Sequence, residues 1–298
     1  MTDLPTSPSR RVGTADGRSL DVWLAGPPHG AAVVYHSGTP GNGLPFADYV
    51  DALAARGLRY VSISRPGYGG STRQEQRIVA DVVPDTRLVL DELGIDRAYV
   101  IGWSGGGPHA MACAALLPER ILGTAVLAGV APWEAPGLDW LANMGAENID
   151  EFALALEGPA ALLPFVEQAA ATMRSITPDA IADAFGDLVD DVDRAAAKGP
   201  FAAYLAALDH EAFRVGPYGW LDDDIAFTRP WGFDVASISG RVHVWQGAHD
   251  RMVPFAHGQW LAANGGHTCP HLFPEHGHLS LVVEQFPAIL DELLAEPS

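Results

Sequence analysis

The amino-acid sequence predicts an α/β fold, in which a mostly parallel, twisted sheet is flanked by helices and carries a helical insertion. Short β-branched runs alternate with helical segments that end at glycine, which is typical of a parallel sheet with crossover helices. The alternation stops after residue 130 and resumes near residue 242. A chain of 298 residues with 48% apolar composition is long enough for one large core plus such an insertion. We therefore assign residues 1–130 and 232–298 to a core domain and 131–231 to a helical cap.

The first part of the chain predicts three strands, the first two joined as a hairpin. Asp16-Gly17 is a turn signal between RRVGT and SLDVWLA, and the run AAVVY at 31–35 indicates a buried strand. Helices and strands then alternate, with a helix at 46–56, a strand at 60–64 and a helix at 81–93.

Two further units precede the cap and two follow it. A strand at 98–103 leads into a helix at 105–117, and an apolar run occupies 121–130. After the cap we expect a strand at 242–245, a helix at 255–263, a short strand at 272–273 and a last helix at 279–294.

One hydroxyl stands among four glycines in the segment GWSGGG at 102–107. A chain that passes directly from a parallel strand into a helix must reverse sharply, so the residue at the apex is forced towards positive φ. Gly102 and Gly106 stand two residues on either side of Ser104, which is the G-x-S-x-G pattern of a nucleophile elbow. Because a strand precedes the motif and a helix follows it, the pattern predicts a serine nucleophile rather than an ordinary glycine turn.

A serine nucleophile needs a base and a carboxylate that orients the base. Asp250 follows the strand VHVWQG at its carboxyl end, where sheets of this type hold their sites. Among the histidines before the last helix we favour His278, because a glycine precedes it and an apolar helix follows it; His276 is the alternative. Glu134, shortly after the run at 121–130, is the alternative acid.

Together these motifs resemble the α/β-hydrolase superfamily, in its cap-bearing serine hydrolase branch that includes esterases and proline iminopeptidases. The loop SRPGYGGS at 64–71 and the acid segment GAHD at 247–250 are similar to segments of that superfamily. The resemblance covers nearly the whole chain. It implies an α/β-hydrolase fold in which Ser104, His278 and Asp250 form a catalytic triad without a cofactor.

The segment HSGTPG at 36–41 is similar to the H-G-x-P loop that follows the third strand in this superfamily. Ser37 stands where the aligned histidine would be and His36 lies one place earlier, so two registers of the loop stay open. The resemblance implies that the backbone N–H groups of Thr39 and Gly105 form an oxyanion hole. The residues expected to contact the substrate are Gly38, Trp103 and Trp133.

The chemistry that these residues predict is acyl transfer to water, with a small to medium ester or related acyl compound as substrate. Epoxide hydrolases of this superfamily carry an aspartate nucleophile, whereas this chain has Ser104. Proline iminopeptidases resemble HGGPG and GGSWG, whereas this chain has HSGTPG and GWSGG. An enzyme similar to those peptidases and a carbon-carbon bond hydrolase are alternatives. Two further alternatives are a non-catalytic ligand-binding receptor and a cofactor-free oxygenase that uses the pair His278 and Asp250.

The composition disfavours anionic partners. The formal net charge is -19 and Lys198 is the only lysine, so we expect no nucleic-acid or membrane partner, only a small-molecule substrate. Residues 131–231 hold 18 Asp and Glu against five Lys and Arg, which favours neutral or cationic esters over anionic ones. Nothing in the pattern indicates an oligomeric state.

The cysteines and histidines predict neither a disulfide framework nor a metal site. Cys113 and Cys269 are too few for such a framework, and the start MTDLPTSPSR lacks the apolar core of a signal peptide, so we expect a cytoplasmic protein. Cys269 and four histidines lie between 267 and 278, but they lack the regular ligand pairs of zinc sites.

Overall fold

The sheet that the sequence predicts is present, and the fold class is confirmed. The computed structural model describes residues 4–295, so residues 1–3 and 296–298 of the assigned core domain lie outside the described residues. The eight strands are β1 (Arg10–Gly13), β2 (Ser19–Ala25), β3 (Ala31–His36), β4 (Leu58–Ile63), β5 (Ala98–Trp103), β6 (Ile121–Leu127), β7 (Arg241–Gly247) and β8 (His267–Phe273). They are ordered β1-β2-β4-β3-β5-β6-β7-β8; β2 is antiparallel to both of its neighbours and every other pair is parallel.

The helices fall into a set that flanks the sheet and a set inserted between β6 and β7. In chain order they are α1 (Ala47–Ala54), α2 (Val82–Glu92), α3 (Gly106–Leu116), α4 (Ala146–Glu157), α5 (Pro159–Met173), α6 (Ile181–Ala184), α7 (Asp191–Ala196), α8 (Gly199–Ala212), α9 (Tyr218–Phe227), α10 (Phe255–Asn264) and α11 (His278–Leu294). None of these helices is both long enough and apolar enough to cross a bilayer.

The central strands are apolar on both faces because helices cover both faces. Successive side chains of a strand point to opposite sides, so Val33 and Val34 of β3 are both buried but belong to different apolar clusters. Val34 packs in the cluster that contains Leu90 of α2, and Val33 packs in the cluster that contains Phe286 of α11.

The inserted helices α4–α9 lie within residues 131–231, the predicted cap. Gly158 ends α4 with a φ of 110°, a conformation that favours glycine, and Pro159 begins α5 at a position where its missing N–H costs nothing. Helix α4 packs against α5 and α9, and α5 packs against α8. The insertion therefore packs partly on itself, and it also contributes residues to the site described next.

Candidate active site

Ser104 occupies the turn between β5 and α3. Its φ is 54°, the left-handed region that a serine rarely adopts. A Cβ on Gly102 would overlap the carbonyl oxygen of Gly106, and a Cβ on Gly106 would overlap that of His36. The two glycines therefore permit the sharp turn, and Ser104 is left partly exposed on the wall of a cavity.

Asp250 and His278 are brought together at the carboxyl edge of the sheet. Asp250 follows β7, His278 begins α11, and the Asp250 Oδ2 atom lies 2.8 Å from His278 Nδ1. The carboxylate also accepts hydrogen bonds from Gln246 Nε2 at 2.9 Å and from the N–H groups of Met252 at 2.9 Å and Val253 at 2.7 Å. The carboxylate is thus fixed in place, and Nε2 is the imidazole nitrogen left free for proton transfer.

The pKa of His278 responds to two opposing effects. Burial disfavours the charged imidazolium, but the carboxylates of Asp250 and Asp193 outweigh burial and raise the pKa of His278 above its usual range. Burial also raises the pKa of Asp250, and this rise is opposed by His278 and by the N–H of Val253.

Ser104 lies on the same sheet edge as the pair, because β5, β6 and β7 are adjacent and parallel. Within residues 4–295, however, no hydrogen bond joins Ser104 Oγ to His278. Hydrogen bonds of this kind are often long in unliganded enzymes and shorten when substrate binds. The neighbour of Ser104, Trp103, is buried with its ring 5.6 Å from the His278 ring.

The alternative base and the alternative acid lie elsewhere. His276 Nε2 is 2.9 Å from Gln285 Nε2 and its Nδ1 is 3.8 Å from a Glu284 oxygen, so its ring faces α11 and not Asp250. Glu134 is exposed and borders a separate hollow that it shares with Trp133. Asp250 is therefore the carboxylate that contacts His278.

Thr39 and Gly105 both border the cavity beside Ser104. Within the described part of the chain, their backbone N–H groups donate no hydrogen bond, so both are free to bind a developing oxyanion. A Cβ on Gly38 would lie 3.3 Å from the Ser104 Cβ, so this loop passes the serine closely. His36 is buried against Cys113, 3.7 Å from its Sγ, and the residues that reach Ser104 are Gly38 and Thr39.

A buried ion network holds this loop from behind. Arg65 donates hydrogen bonds to the carbonyl oxygens of Ser37 at 2.6 Å and Gly38 at 2.9 Å. The same guanidinium pairs with Asp223 of α9 at 2.6 Å, and Arg77 pairs with the other oxygen of Asp223, also at 2.6 Å. All three charged side chains are buried, so a carboxylate from the inserted helices determines where the loop residues lie.

Two hydroxyl groups complete the network around Asp223. Thr39 Oγ1 donates to Asp223 at 2.8 Å, and the Tyr68 hydroxyl donates at 3.0 Å. Burial opposes the charge on Asp223, but the guanidinium groups of Arg65 and Arg77 hold its pKa well below the usual range. The carboxylate is therefore ionised, and it fixes both the side chain of Thr39 and, through Arg65, the loop backbone.

A second carboxylate from the insertion caps α11. Asp193 of α7 is buried and accepts hydrogen bonds from the N–H groups of His278 at 2.7 Å, Leu279 at 2.9 Å and Ser280 at 2.8 Å. Helix N-termini favour such acceptors and negative charge. Asp193 thus fixes the backbone of the residue that also contacts Asp250.

The sequence analysis did not identify Asp193 or Asp223. For Asp223 a signal was present: Asp222, Asp223 and Asp224 are consecutive on α9, where every residue from 219 to 227 is buried. A helix turns about 100° per residue, so three successive residues cannot share one exposed stripe. Asp193 has no comparable signal, because its partners lie 85 to 87 residues away in the chain.

The cavity beside Ser104 has a volume of about 270 Å³ and is roofed by the inserted helices. Its apolar wall includes Val130, Phe152, Met173, Ile176, Leu188 and Phe227. Its charged lining residues are Glu147, Glu151, Asp209 and Asp224, and no Lys, Arg or His from residues 4–295 borders it.

Three residues expected to contact substrate do not border this cavity. Gly38 packs against Ser104, and Trp103 is buried beside His278. The Trp133 ring lies 4.9 Å from the Trp140 ring, tilted by 54°, and faces the separate hollow. The aromatic and apolar residues that do line the cavity come from α4, α5, α6 and α9, from the segments beside α6 and from loops of the core.

A group that could hold a metal ion lies apart from this site. Within the described chain it consists of His243, His271 and Glu292, whose ligand atoms are within 4.8 Å of one another. His243 Nδ1 already lies 3.1 Å from His271 Nε2. Glu292 is near the end of α11, which begins at the sheet edge that holds His278, so this group is displaced towards the opposite edge.

Comparison with known proteins agrees with this fold. A family model described as "alpha/beta hydrolase fold" matches residues 31–164. The solved enol-lactonase of Burkholderia xenovorans LB400 superposes with a TM-score of 0.69 at 19% identity, over 96% of this chain and all of that chain (100%). A strand-to-helix elbow with a serine, next to an aspartate-histidine pair, defines the class of α/β-fold proteins with a nucleophile at the sheet edge. The chain has the α/β-hydrolase fold, and residues 31–164 match the model of that family.

Two curated relatives share more sequence identity with this chain than that structure does. Epoxide hydrolase B of Mycobacterium tuberculosis (strain H37Rv) is 28% identical over 67% of this chain, and the aligned region spans only 57% of that relative. The 2-hydroxy-6-oxo-6-phenylhexa-2,4-dienoate hydrolase of Burkholderia cepacia is 27% identical over 93% of both chains.

Proposed function

We propose that the protein is a serine hydrolase that cleaves a small to medium ester or related acyl compound through an acyl-enzyme. The observation that carries the proposal is the left-handed backbone of Ser104 beside two free N–H groups, on the sheet edge that also holds the hydrogen-bonded pair of His278 and Asp250. The hydrolase names of the relatives support the reaction class. The two unpaired cysteines agree with the expected cytoplasmic location.

The proposed mechanism has two half-reactions, formation of an acyl-enzyme and its hydrolysis, and the same residues act in both. Ser104 Oγ attacks the carbonyl carbon while His278 Nε2 takes the serine proton, and Asp250 stabilises the imidazolium through Nδ1. The N–H groups of Thr39 and Gly105 bind the oxyanion that develops on the carbonyl oxygen. His278 then returns the proton to the leaving group, and a water molecule repeats the sequence on the acyl-enzyme.

A carbon-carbon bond hydrolase is the second candidate, because the dienoate hydrolase of Burkholderia cepacia aligns over 93% of both chains. That relative's name describes an anionic substrate. The cavity beside Ser104 has four carboxyl groups and no basic lining residue in the described chain, which favours the ester over a dienoate. An epoxide substrate is disfavoured because the nucleophile would be a serine.

Labelling with a fluorophosphonate probe tests the proposal, since the probe reacts only with an activated serine. Wild-type protein and the control Ser237→Ala, which changes an exposed serine, should be labelled, whereas Ser104→Ala should not. Ser104→Ala should also lose about 10⁶-fold in kcat for an activated ester while remaining folded. An unlabelled wild type would favour the receptor, and ester hydrolysis that survives Ser104→Ala would show that Ser104 is not the nucleophile.

A further inference from the structure

The charged lining of the cavity is entirely acidic. Glu147 is exposed, whereas Glu151, Asp209 and Asp224 are buried at 6%, 8% and 1% exposure. A carboxylate in such a position normally has a cation or several N–H donors beside it, because an unpaired buried charge is costly. Arg65 and Arg77, which are buried nearby on the core, are already engaged by Asp223.

Asp209 is the clearest case. It borders the cavity from α8, and no residue of the described chain donates a hydrogen bond to its carboxylate. Burial is the one influence on its pKa, which lies well above the usual range. A buried carboxyl group that opens on a cavity without a protein partner indicates that its partner is the ligand.

Glu151 and Asp224 form a second group on the same wall. Their carboxyl groups hydrogen-bond each other, and Glu151 Oε1 also accepts a hydrogen bond from Trp220 Nε1 at 2.6 Å. Asp224 Oδ2 has no partner within the described residues. Burial raises the pKa of Glu151 to about 7 and raises that of Asp224 well above its usual range, so the pair holds a proton near neutral pH.

We propose that the cavity recognises a primary ammonium group on the substrate, held by Asp209 and by the pair of Glu151 and Asp224. This inference names the substrate class of the site and rests on the proposed hydrolase function. An ammonium group offers three donors and a positive charge, so it matches several carboxyl oxygens, whereas a hydroxyl offers one donor and no charge. The apolar wall accommodates the carbon chain between the ammonium group and the carbonyl at Ser104.

Binding of the cation is coupled to proton release. Burial raises the pKa of each of these acids and favours the protonated form, whereas a bound ammonium ion favours the charged form. The affinity for the ammonium ion should therefore rise as the pH rises from 6 to 8. The ligand keeps its charge over this range, because the usual amine pKa is about 10.4. The other titratable groups that act on these acids are Glu147 on Glu151, Asp223 and Arg77 on Asp224, and Tyr204 beside Asp209.

Calorimetric titration with n-hexylammonium and with 1-hexanol tests the inference without requiring turnover. We expect the ammonium ion to bind wild-type protein at least about tenfold more tightly than the alcohol, a difference of about 1.4 kcal/mol. Titrations in phosphate and in HEPES, which differ in ionisation enthalpy and carry no primary amine, should reveal release of protons to the buffer. Asp209→Asn should remove most of the preference and change 1-hexanol affinity by less than about twofold.

The control is Asp179→Asn, which makes the same charge change at an exposed position of the insertion and should leave both affinities unchanged. Glu151→Gln keeps an acceptor for Trp220 and supplies a second variant if Asp209→Asn does not fold; it too should reduce the preference. Equal binding of the two probes by wild type would overturn the inference, as would a loss of preference in Asp179→Asn equal to that in Asp209→Asn. Fluorophosphonate labelling reports on the hydrolase separately, so failure of either proposal is recognised independently.

Discussion

The core and the inserted helices both contribute carboxylates to the site, and these carboxylates differ in the partners that they have. The core supplies Asp250, which has His278 and three further hydrogen-bond donors as partners. The insertion supplies two anchoring carboxylates, Asp193 and Asp223, whose partners belong mostly to the core. It also supplies the cavity carboxylates Glu151, Asp209 and Asp224, which have no cationic partner in the described chain.

This difference shows that the acidic residues of the insertion do not share one role. Both anchoring carboxylates have several partners and fix the position of core groups, and Asp193 also acts on His278 through its charge. The cavity acids are buried without a cationic partner, so burial favours their protonated forms, and a ligand cation would interact with them more strongly than with surface carboxylates. Local environment, not the excess of 18 acidic over five basic residues in 131–231, determines what each group does.

The largest expected effect separates the core acid from its alternative. Asp250→Asn should lower kcat by about 10⁴-fold, because the amide cannot orient and stabilise the imidazolium as a carboxylate does. Glu134→Gln should stay within about twofold of wild type, since Glu134 is exposed and does not contact His278. Steady-state kinetics with an activated ester measure both, and an inactive Glu134→Gln enzyme with a functional Asp250→Asn enzyme would reverse the assignment.

The core half of the site was predictable from sequence because its signals are local. Gly102 and Gly106 mark the turn around Ser104, and the strand VHVWQG leads directly to Asp250. Predicted and observed elements agree to within a few residues where glycine ends a helix; the helix expected at 81–93 is Val82–Glu92. The strand expected at 272–273 is longer, His267–Phe273, because its pairing with β7 compensates for Pro270 and for its polar residues.

The cap half was less predictable because its contacts join residues far apart in sequence. The spacing of acids in a helical segment indicates an exposed face, and Asp193 and Asp223 are instead buried against loops of the core. The sequence analysis did not predict that Trp133 packs on Trp140, because an aromatic residue in an insertion carries no local sign of the cavity it faces. For Asp193 and Trp133, only tertiary packing reveals what the side chain contacts.

The next effect tests an anchoring carboxylate. Asp223→Asn leaves Arg65 and Arg77 buried without a full counter-charge, so unfolding free energy should fall by about 3–5 kcal/mol. Because Arg65 also fixes the carbonyls of the loop beside Ser104, kcat should fall by about 10²-fold. Urea unfolding and ester kinetics on the same preparation measure both changes.

The adjacent residue supplies the matched control for this variant. Asp222 pairs with Arg73, which is 28% exposed and does not contact the loop. Asp222→Asn should therefore cost about 1 kcal/mol or less and leave kcat nearly unchanged. If the two variants lost equal stability and equal activity, the anchoring role of Asp223 would be wrong.

The smallest expected effect is a shift in a pH profile, and it tests the other anchoring carboxylate. His278 must be neutral to accept the serine proton, so activity falls as the pH drops through its pKa. Asp250 and Asp193 raise that pKa, so the acid limb of kcat/KM should have its midpoint above the ordinary histidine value of about 6.5. Asp193→Asn removes one of the two negative charges, and the midpoint should move to lower pH.

Asp191→Asn, an exposed neighbour on the same helix, should leave the midpoint in place. A merely structural role for Asp193 would lower stability and leave the midpoint where it was, so an unshifted profile in a folded Asp193→Asn enzyme would contradict the electrostatic role.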